Sequence, residues 1–415
     1  MKFSAVRYFM TLVVLTTIYS CTNSPAGLKS GIWRATLKTK TATEIPFNFE
    51  VIDSAGKKHI EIINGEERFR VDEITTKDDS ILIQMPLFES EIKTVMKNGH
   101  LYGKWIKHLG KEDVAMDFVA EPDASWRFFN TNTGSDAHPE GRWAVSFVSE
   151  DGKDTTHAVG EFKQDGSKVT GTFLTATGDY RFLEGSVSGN KLYLSCFDGA
   201  HAYLFTGELT DENTITNGKF YSGYSYVDNW TAKRDEHAML PDAYSLTALK
   251  PGYDKISFSF PNLEKEEVSL SDPKFQNKVV IVQFFGSWCP NCMDETAYLA
   301  PFYEKYKNKG VEVVGLAYER STDFERSKRN VRRLKDRFNV TYDMLITGYT
   351  NDKEEVAQSL PMLNKFVAFP TLAIIDKKGK VRNIHTGFTG PGTGDHYAEF
   401  VEEFEKTVEH LLNEK

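Results

Sequence analysis

The sequence predicts a multidomain protein in which an all-β N-terminal half precedes a C-terminal α/β domain. Its 415 residues correspond to roughly two to four domains, at about 150 residues per domain. From residue 30 to about residue 236, short alternating strands are separated by Gly, Asn and Asp, and no amphipathic helix interrupts them. After residue 255 the pattern changes to buried strands alternating with helices.

The composition supports this division and disfavours one class of binding partner. Aromatic residues make up 13% of the chain, which favours β-structure over disorder. The formal net charge is −9, so there is no overall basic field and we expect no nucleic-acid partner. Four cysteines are too few for a scaffold held by disulfides in a chain of this length.

The N-terminus is predicted to be an export signal with a lipid attachment site. Lys2 and Arg7 form a basic start, and the apolar run 8–18 is too short to span a bilayer. The sequence Ile-Tyr-Ser-Cys ending at Cys21 resembles the bacterial lipobox, in which the cysteine is acylated. The alternative is a plain signal peptide with an incidental Cys21. The lipobox implies a chain tethered to a membrane outside the cytoplasm, in the cell envelope facing the periplasm.

A weak internal repeat divides the all-β half. Gly31 and Trp33 recur as Gly141 and Trp143, 110 residues later, and short strands follow each start. Two small antiparallel barrels or sandwiches would explain the repeat, whereas a single larger β-domain is the alternative. The predicted division is signal peptide 1–21, first β-rich unit 30–125, second β-rich unit 138–236, linker 237–254 and α/β domain 255–415.

The α/β domain is predicted to follow the order β-α-β-α-β-β-α. Its predicted elements are strand 279–285, helix 291–308, strand 311–318, helix 323–338, one or two short helices in 352–366, strands 371–375 and 381–386, and helix 394–412. Helix 323–338 is rich in Arg and Lys, and we expect a solvated basic face there rather than a docking surface. The glycine-rich segment 388–394 is expected to be a loop leading into the last helix.

Two cysteines lie where redox chemistry would need them. Cys289 and Cys292 follow a buried strand and begin a helix, where unpaired N–H groups favour a thiolate. Two intervening residues let the second thiol reach the first, so Cys289 would attack a disulfide and Cys292 would resolve the mixed disulfide. Half a zinc site is disfavoured, because the ten His offer no second ligand pair at the required spacing. Cys196 lies in a predicted strand and is expected to be a small buried hydrophobe.

These motifs resemble the thioredoxin-fold thiol-disulfide oxidoreductases of the TlpA/ResA-like group. The resemblance covers residues 255–412 and is carried by the stretch 279–292 (VVIVQFFGSWCPNC), by Glu295 and by the Phe-Pro-Thr at 369–371. It implies an α/β thioredoxin fold in which Glu295 takes the proton of Cys292. Pro370 would be a cis-proline beside the redox pair. The implied substrate groove consists of Trp288, Pro290, Phe369 and Pro370.

The function implied by this resemblance is reduction of protein disulfides. We expect no separate cofactor and no metal, because the Cys289–Cys292 disulfide is itself the redox group. The implied partners are disulfide-containing client proteins, a membrane thiol electron donor and, through the lipid, the membrane. Two other functions are considered: a thiol peroxidase, since peroxiredoxin-like chains share the fold, and a binding protein whose β-rich half carries the function.

Overall fold

The computed structural model describes residues 28–110, 112–131 and 137–414. The predicted signal peptide 1–21 and the predicted lipidation site Cys21 lie outside the described residues. In the described residues, no helix is long and apolar enough to cross a bilayer.

Strands dominate the first half of the chain and alternate with helices in the second half. The strands of the N-terminal half are β1 (Gly31–Lys38), β2 (Glu44–Ser54), β3 (Lys57–Asn64), β4 (Glu67–Val71), β5 (Glu73–Lys77), β6 (Ser80–Gln84), β7 (Ser90–Lys97), β8 (His100–His108), β9 (Asp113–Pro122), β10 (Gly141–Ser149), β11 (Thr155–Asp165), β12 (Lys168–Thr175), β13 (Gly178–Asp179), β14 (Leu183–Ser188), β15 (Lys191–Phe197), β16 (Ala202–Asp211), β17 (Thr214–Ser222) and β18 (Tyr226–Arg234). The elements that follow are β19 (Ser259–Pro261), β20 (Glu267–Ser269), β21 (Val279–Phe285), α1 (Pro290–Tyr306), β22 (Val311–Glu319), α2 (Phe324–Arg337), β23 (Asp343–Thr350), α3 (Lys353–Ser359), β24 (Thr371–Ile375), β25 (Val381–Thr386) and α4 (Asp395–Asn413), with short 3-10 turns at Ala243–Ser245, Pro273–Phe275, Lys307–Lys309 and Pro391–Thr393.

The N-terminal half forms two antiparallel sheets of nine strands each. The first has the order β4-β3-β2-β1-β9-β8-β7-β6-β5. The second runs β11-β10-β18-β17-β16-β15-β14-β12-β13 and is closed into a barrel by pairing of β11 with β12. The prediction of an all-β N-terminal half is confirmed. We call the first sheet the first β-unit and the second sheet the second β-unit; the boundaries given above for the units and the linker stay predictions.

The repeated tryptophans occupy equivalent places in the two sheets. Trp33 lies on β1, which pairs with β2 and β9, and Trp143 lies on β10, which pairs with β11 and β18. Both rings are fully buried, and each indole Nε1 donates to the carbonyl four residues earlier, at 2.8 Å in both cases. A buried indole N–H needs such an acceptor. The sequence repeat therefore marks the start of each sheet.

The C-terminal domain is an α/β fold around a five-stranded sheet of order β23-β22-β21-β24-β25. Strand β21 is central, parallel to β22 and antiparallel to β24, and all seven of its residues are buried. The prediction of a thioredoxin fold is confirmed. The predicted element order was wrong in lacking the short β19–β20 hairpin and strand β23. That strand lies at the sheet edge and contains only Met344–Ile346 as an apolar run before Thr347 and Gly348, too short a run to predict a strand.

Helix α2 contacts the first β-unit, contrary to the expectation of a solvated basic face. Arg326 Nε donates to Glu89 Oε1 at 2.8 Å. The Arg337 guanidinium lies 4.8 Å from the centre of the Phe69 ring and donates to the carbonyl of Arg70 at 3.3 Å. An acidic and aromatic surface of the same chain therefore covers part of this basic helix.

The two β-units also pack tightly on one another. Phe197 of the second unit stacks on Phe47 of the first, with ring centroids 4.3 Å apart. Asn64 and Phe197 exchange hydrogen bonds of 2.8 and 3.2 Å across the same boundary. Cys196 is fully buried beside this contact, as predicted for a small core residue. The β-rich half thus presents one continuous body to the C-terminal domain.

Candidate active site

Cys289 lies at the point where the central strand gives way to the first helix. It is the N-cap residue of α1, and its Sγ accepts a hydrogen bond from the backbone N–H of Cys292 at 3.2 Å. An N-cap side chain satisfies one of the free N–H groups of the first helical turn, and a negative charge is favoured there. The local sequence thus places the first sulfur where a thiolate is stabilised.

The two thiols differ in access to solvent. Cys289 is 7% exposed and Cys292 is fully buried, and both are free thiols in this structure. Burial raises the pKa of the Cys292 thiol well above its usual value, and its contact with Cys289 raises it further. Cys289 is therefore the more accessible of the two thiols, and a thiol buried like that of Cys292 would need a base to become a nucleophile.

Glu295 is the predicted base for Cys292. It is fully buried one helical turn beyond Cys292, and burial raises its pKa to about 8. Gln283 Nε2 donates to its Oε2 at 2.9 Å, while its Oε1 has no hydrogen-bond partner among the described residues. The charge of Glu295 also raises the pKa of Cys292. The carboxylate therefore has one oxygen free to take a proton.

The predicted groove residues surround Cys289. The Trp288 ring meets the Phe369 ring edge to face at 5.5 Å, and its Nε1 donates to the Tyr318 carbonyl at 2.9 Å. The Phe369–Pro370 peptide bond is cis, as the resemblance implies. The carbonyl of Phe369 lies 4.0 Å from Cys289 Sγ. Pro290 is the first residue of α1 and is buried beside Cys289. Trp288, Pro290 and Phe369 line the C-terminal wall of a cleft that reaches Cys289, whereas Pro370 lies outside the lining.

The opposite wall of this cleft belongs to the β-rich half. Segment 177–181, which follows β12 and contains β13, lies against the start of α1 and against the loop before α4. Asn291 Nδ2 donates to the carbonyl of Asp179 at 3.1 Å, and the N–H of Gly390 donates to Asp179 Oδ2 at 2.7 Å. We call segment 177–181 the roof. No sequence pattern predicted the roof, because its residues lie more than a hundred positions before Cys289.

One buried arginine joins the roof to the active-site helix. Arg181 makes two hydrogen bonds to the carboxylate of Asp294, at 2.8 and 2.9 Å. It also binds Glu67 of the first β-unit at 2.6 Å and Asp198 of the second at 3.3 Å. Arg181 is 2% exposed, and its three acidic partners hold its pKa above the usual value although burial opposes this. Burial raises the pKa of Asp294 to about 7, with Arg181 opposing the shift.

The cleft between the roof and the thiols has a volume of about 420 Å³. Cys289, Trp288 and Phe369 line its C-terminal side. Lys107, His201 and Tyr203 line the β-rich side, and Arg320 closes one edge. None of the last four was predicted, since only folding brings them near Cys289.

Comparison with known proteins matches the C-terminal domain. The family model described as Redoxin matches residues 252–399. A thiol-disulfide oxidoreductase ResA of Geobacillus thermodenitrificans is 31% identical over 143 residues, which are 34% of this chain and 72% of that protein. The chain belongs to the ResA-like family of thiol-disulfide oxidoreductases. The thioredoxin-like protein YneN of Bacillus subtilis is also similar, at 29% identity over 139 residues, which are 34% of this chain and 73% of YneN.

Solved structures resemble the same part of this ResA-like chain. A thiol:disulfide interchange protein of the thioredoxin family from Chlorobium tepidum covers 40% of the chain at 20% identity, with all of its own length matched and a TM-score of 0.30. A thiol-disulfide oxidoreductase from Bacteroides fragilis covers 36% of the chain at 21% identity, with 99% of its own length matched and a TM-score of 0.28.

The match to the Redoxin model begins at residue 252, so the roof lies outside it. The ResA-like domain of this chain is an enzyme domain for thiol-disulfide exchange. Its active-site face is covered by residues that the match does not include. No group of three or more His, Cys, Asp or Glu suited to a metal ion occurs within the described ranges.

Proposed function

We propose that this chain is a protein disulfide reductase tethered to a membrane outside the cytoplasm, and that Cys289 and Cys292 are its redox pair. The observation that carries the proposal is the arrangement of the two sulfurs. Cys289 lies at the N-terminus of α1 at the end of the cleft, and Cys292 lies behind it, fully buried beside Glu295. This is the geometry that an attacking thiol followed by a resolving thiol requires.

The reaction has two exchanges. The Cys289 thiolate attacks one sulfur of the client disulfide, a Cys289–client disulfide forms, and the other client sulfur leaves as a thiolate. Cys292 then loses its proton to the free oxygen of Glu295 and attacks Cys289 Sγ. The client leaves fully reduced, and the protein holds the Cys289–Cys292 disulfide, having given up two electrons. A membrane thiol electron donor would return the protein to the dithiol.

Trapping tests the exchange. In Cys292→Ala the second exchange is blocked, so we expect client proteins to accumulate as disulfides of Cys289 that dithiothreitol releases. Cys196→Ala is the matched control, because Cys196 is buried away from the cleft and should trap nothing. Failure of Cys292→Ala to form any adduct in envelope preparations would argue against Cys289 as the attacking thiol.

The direction of the redox reaction and the attachment to a membrane need separate measurements. Equilibration with glutathione gives the reduction potential, and a value near about −120 mV, as in strong oxidants, would contradict the reductase assignment. Labelling with a radioactive fatty acid should mark the wild type and not Cys21→Ala. The Cys21→Ala protein should also leave the membrane fraction. Retention of label by Cys21→Ala would refute lipidation at that residue.

A further inference from the structure

Two cationic side chains line the cleft beside Cys289, and the acids Asp198, Glu89 and Glu319 lie in their neighbourhood. The two cations are Lys107 of strand β8 and Arg320, which follows β22. Burial lowers the pKa of Lys107 to about 8; the nearby Arg320 acts in the same direction, and Asp198 opposes the shift. Two like charges held together at the end of a cleft are unfavourable unless an anion joins them.

The carboxylates around the cleft already accept hydrogen bonds from other groups of the protein. Both oxygens of Asp179 accept backbone N–H groups, from Arg181 at 2.6 Å and from Gly390 at 2.7 Å. Asp198 accepts the N–H groups of Ala200 and His201 at 2.8 and 2.6 Å and also binds Arg181. The hydrogen bonds of these acids therefore stabilise the backbone of the roof and of the loop beside it.

The acids on the Arg320 side are also engaged. Glu89 forms an ion pair with Arg326 at 2.8 Å. Glu319 accepts the backbone N–H and the hydroxyl of Ser287 at 2.8 and 2.7 Å. By contrast, Arg320 Nη1 is buried and has no hydrogen-bond partner among residues 28–110, 112–131 and 137–414. A buried guanidinium N–H without an acceptor is costly, so a turn of the Arg320 side chain toward a ligand oxygen in the cleft would be favourable.

We propose that the cleft binds disulfides that carry a carboxylate close to the sulfur, and that Lys107 and Arg320 bind this carboxylate while Cys289 attacks the sulfur. The proposal rests on the proposed function and adds a substrate class to it. The cleft volume of about 420 Å³ falls in the range of small-ligand sites, about 300–1,000 Å³. A small thiol carboxylate in disulfide form and an acidic segment of a client both present this chemistry.

Binding and chemistry fit together without a further reactant. The carboxylate stays ionised and bound while the substrate S–S bond breaks, the Cys289–sulfur bond forms and the leaving sulfur departs as a thiolate. Cys292 then closes the Cys289–Cys292 disulfide and releases the second thiol. The substrate gains two electrons from the dithiol form of the protein, so a single turnover of reduced protein balances the reaction.

The test compares matched disulfides of different charge. Full-length reduced protein is mixed with dithiodipropionate, hydroxyethyl disulfide or cystamine, which are anionic, neutral and cationic. The loss of protein thiols gives each rate constant, and the same disulfides with dithiothreitol correct for intrinsic reactivity. We expect the corrected ratio of anionic to cationic rates to exceed one, and to fall about fivefold in Lys107→Met and in Arg320→Met. High salt should reduce the ratio as well.

Lys104→Met is the matched control. Lys104 lies on the same strand as Lys107, but its ammonium is exposed and pairs with Asp117 at 3.1 Å. It should leave the charge ratio unchanged. A corrected ratio of one would overturn the proposal. A corrected ratio that Lys107→Met and Arg320→Met do not alter would overturn it as well. If hydroxyethyl disulfide is not reduced either, the proposed function fails, whereas reduction without charge preference removes only this inference.

The source of the carboxylate is decided by a second pair of substrates. Two oxidised peptides, with Glu or Gln beside the half-cystine, are compared in the same assay. Preference for the Glu peptide assigns the cleft to acidic client segments. Preference for dithiodipropionate alone assigns it to small thiol carboxylates, and both results support the recognition of a carboxylate.

Discussion

Cys292 is fully buried, and burial keeps its sulfur protonated at neutral pH. In the proposed mechanism, the second exchange therefore depends on a nearby group that removes the proton. Glu295 has a free oxygen and a pKa raised to about 8, so it is mostly neutral at pH 7 and becomes a base as the pH rises. Its chemistry follows from desolvation rather than from a partner charge.

We predict that the rate of the second exchange in the wild type rises as the pH passes through about 8, the pKa of Glu295. Glu295→Gln cannot accept the proton, so the rise should disappear and the rate at pH 8 should fall by about 100-fold. A pH jump from acid, where the Cys289 mixed disulfide forms but its resolution is slow, measures this step directly. An unchanged pH profile in Glu295→Gln would assign proton removal to another group.

Glu295 also makes stability depend on pH. Its pKa is about 8 in the folded protein against an ordinary 4.5, so the folded state binds more protons between these values. The stability that the neutral carboxyl contributes is complete below pH 4.5 and is lost as the pH rises to about 8. Relative to Glu295→Gln, the wild type should lose about 1.4 kcal/mol per pH unit in this window. Urea unfolding at several pH values measures the difference, and a constant difference would contradict the raised pKa.

The three described cysteines should differ in reactivity. In the reduced native protein, iodoacetamide should modify Cys289 first, and Cys196 only after unfolding, because Cys196 is fully buried and burial raises its pKa. Mass spectrometry of peptides after a timed reaction reads the order. Modification of Cys196 at the rate of Cys289 would show that the second β-unit opens readily.

At the residue scale, the sequence predicted the groups whose chemistry depends on local position. Cys289, Cys292 and Glu295 lie on one strand–helix junction, so spacing alone places them together. Lys107 and Arg181 reach the site only through the packing of three parts of the chain. A single sequence carries no signal for such contacts.

At the element scale, the roof is held by close approach of two backbones. A Cβ on Gly387 would lie 2.7 Å from the backbone carbonyl carbon of Thr177, and one on Gly392 would lie 2.8 Å from that of Arg181. Only glycine allows this contact. The segment before α4, expected to be an ordinary loop, is therefore shaped to receive the roof.

Loss of the buried arginine should release the roof. Arg181→Met leaves Glu67, Asp198 and Asp294 buried without their cation, so we predict a loss of about 3–5 kcal/mol in the free energy of unfolding. Asp294→Asn should cost less, because Arg181 keeps its other two partners. Lys153→Met is the control, since its pair with Asp151 is exposed and worth little. Urea unfolding decides, and equal effects of Arg181→Met and Lys153→Met would contradict the role of Arg181.

The predicted elements of the C-terminal domain agree with the structure where apolar residues are periodic or a turn signal marks a hairpin. Strands β24 and β25 have the predicted bounds, and α1, α2 and α4 differ from the predicted helices by one or two residues. Strand β23 was missed because an edge strand does not need a long apolar run. The all-β class of the N-terminal half was predicted. Closure of the second barrel was not, because it depends on the β11–β12 pairing, which periodicity does not specify.

At the scale of the whole molecule, the contacts among the three parts are buried and specific. Arg181 joins both β-units to α1, and the Phe47–Phe197 stack joins the two β-units. We predict one cooperative unfolding transition rather than three. Trp33→Ala and Trp143→Ala should each lower the free energy of unfolding by about 3–5 kcal/mol. Fluorescence, circular dichroism and thiol exposure should give coincident curves, and separate transitions would show independent domains.

The buried arginine also bears on the order in which the chain is made. Residues 28–236 are synthesised before Cys289, and N-terminal domains generally fold first. Arg181 then already has Glu67 and Asp198 as partners, and Asp294 is the last to arrive. Cys196 is enclosed in its barrel by that time. Cys196, the described cysteine outside the proposed redox pair, is therefore enclosed before Cys289 and Cys292 are in place, which would protect that pair from a wrong disulfide.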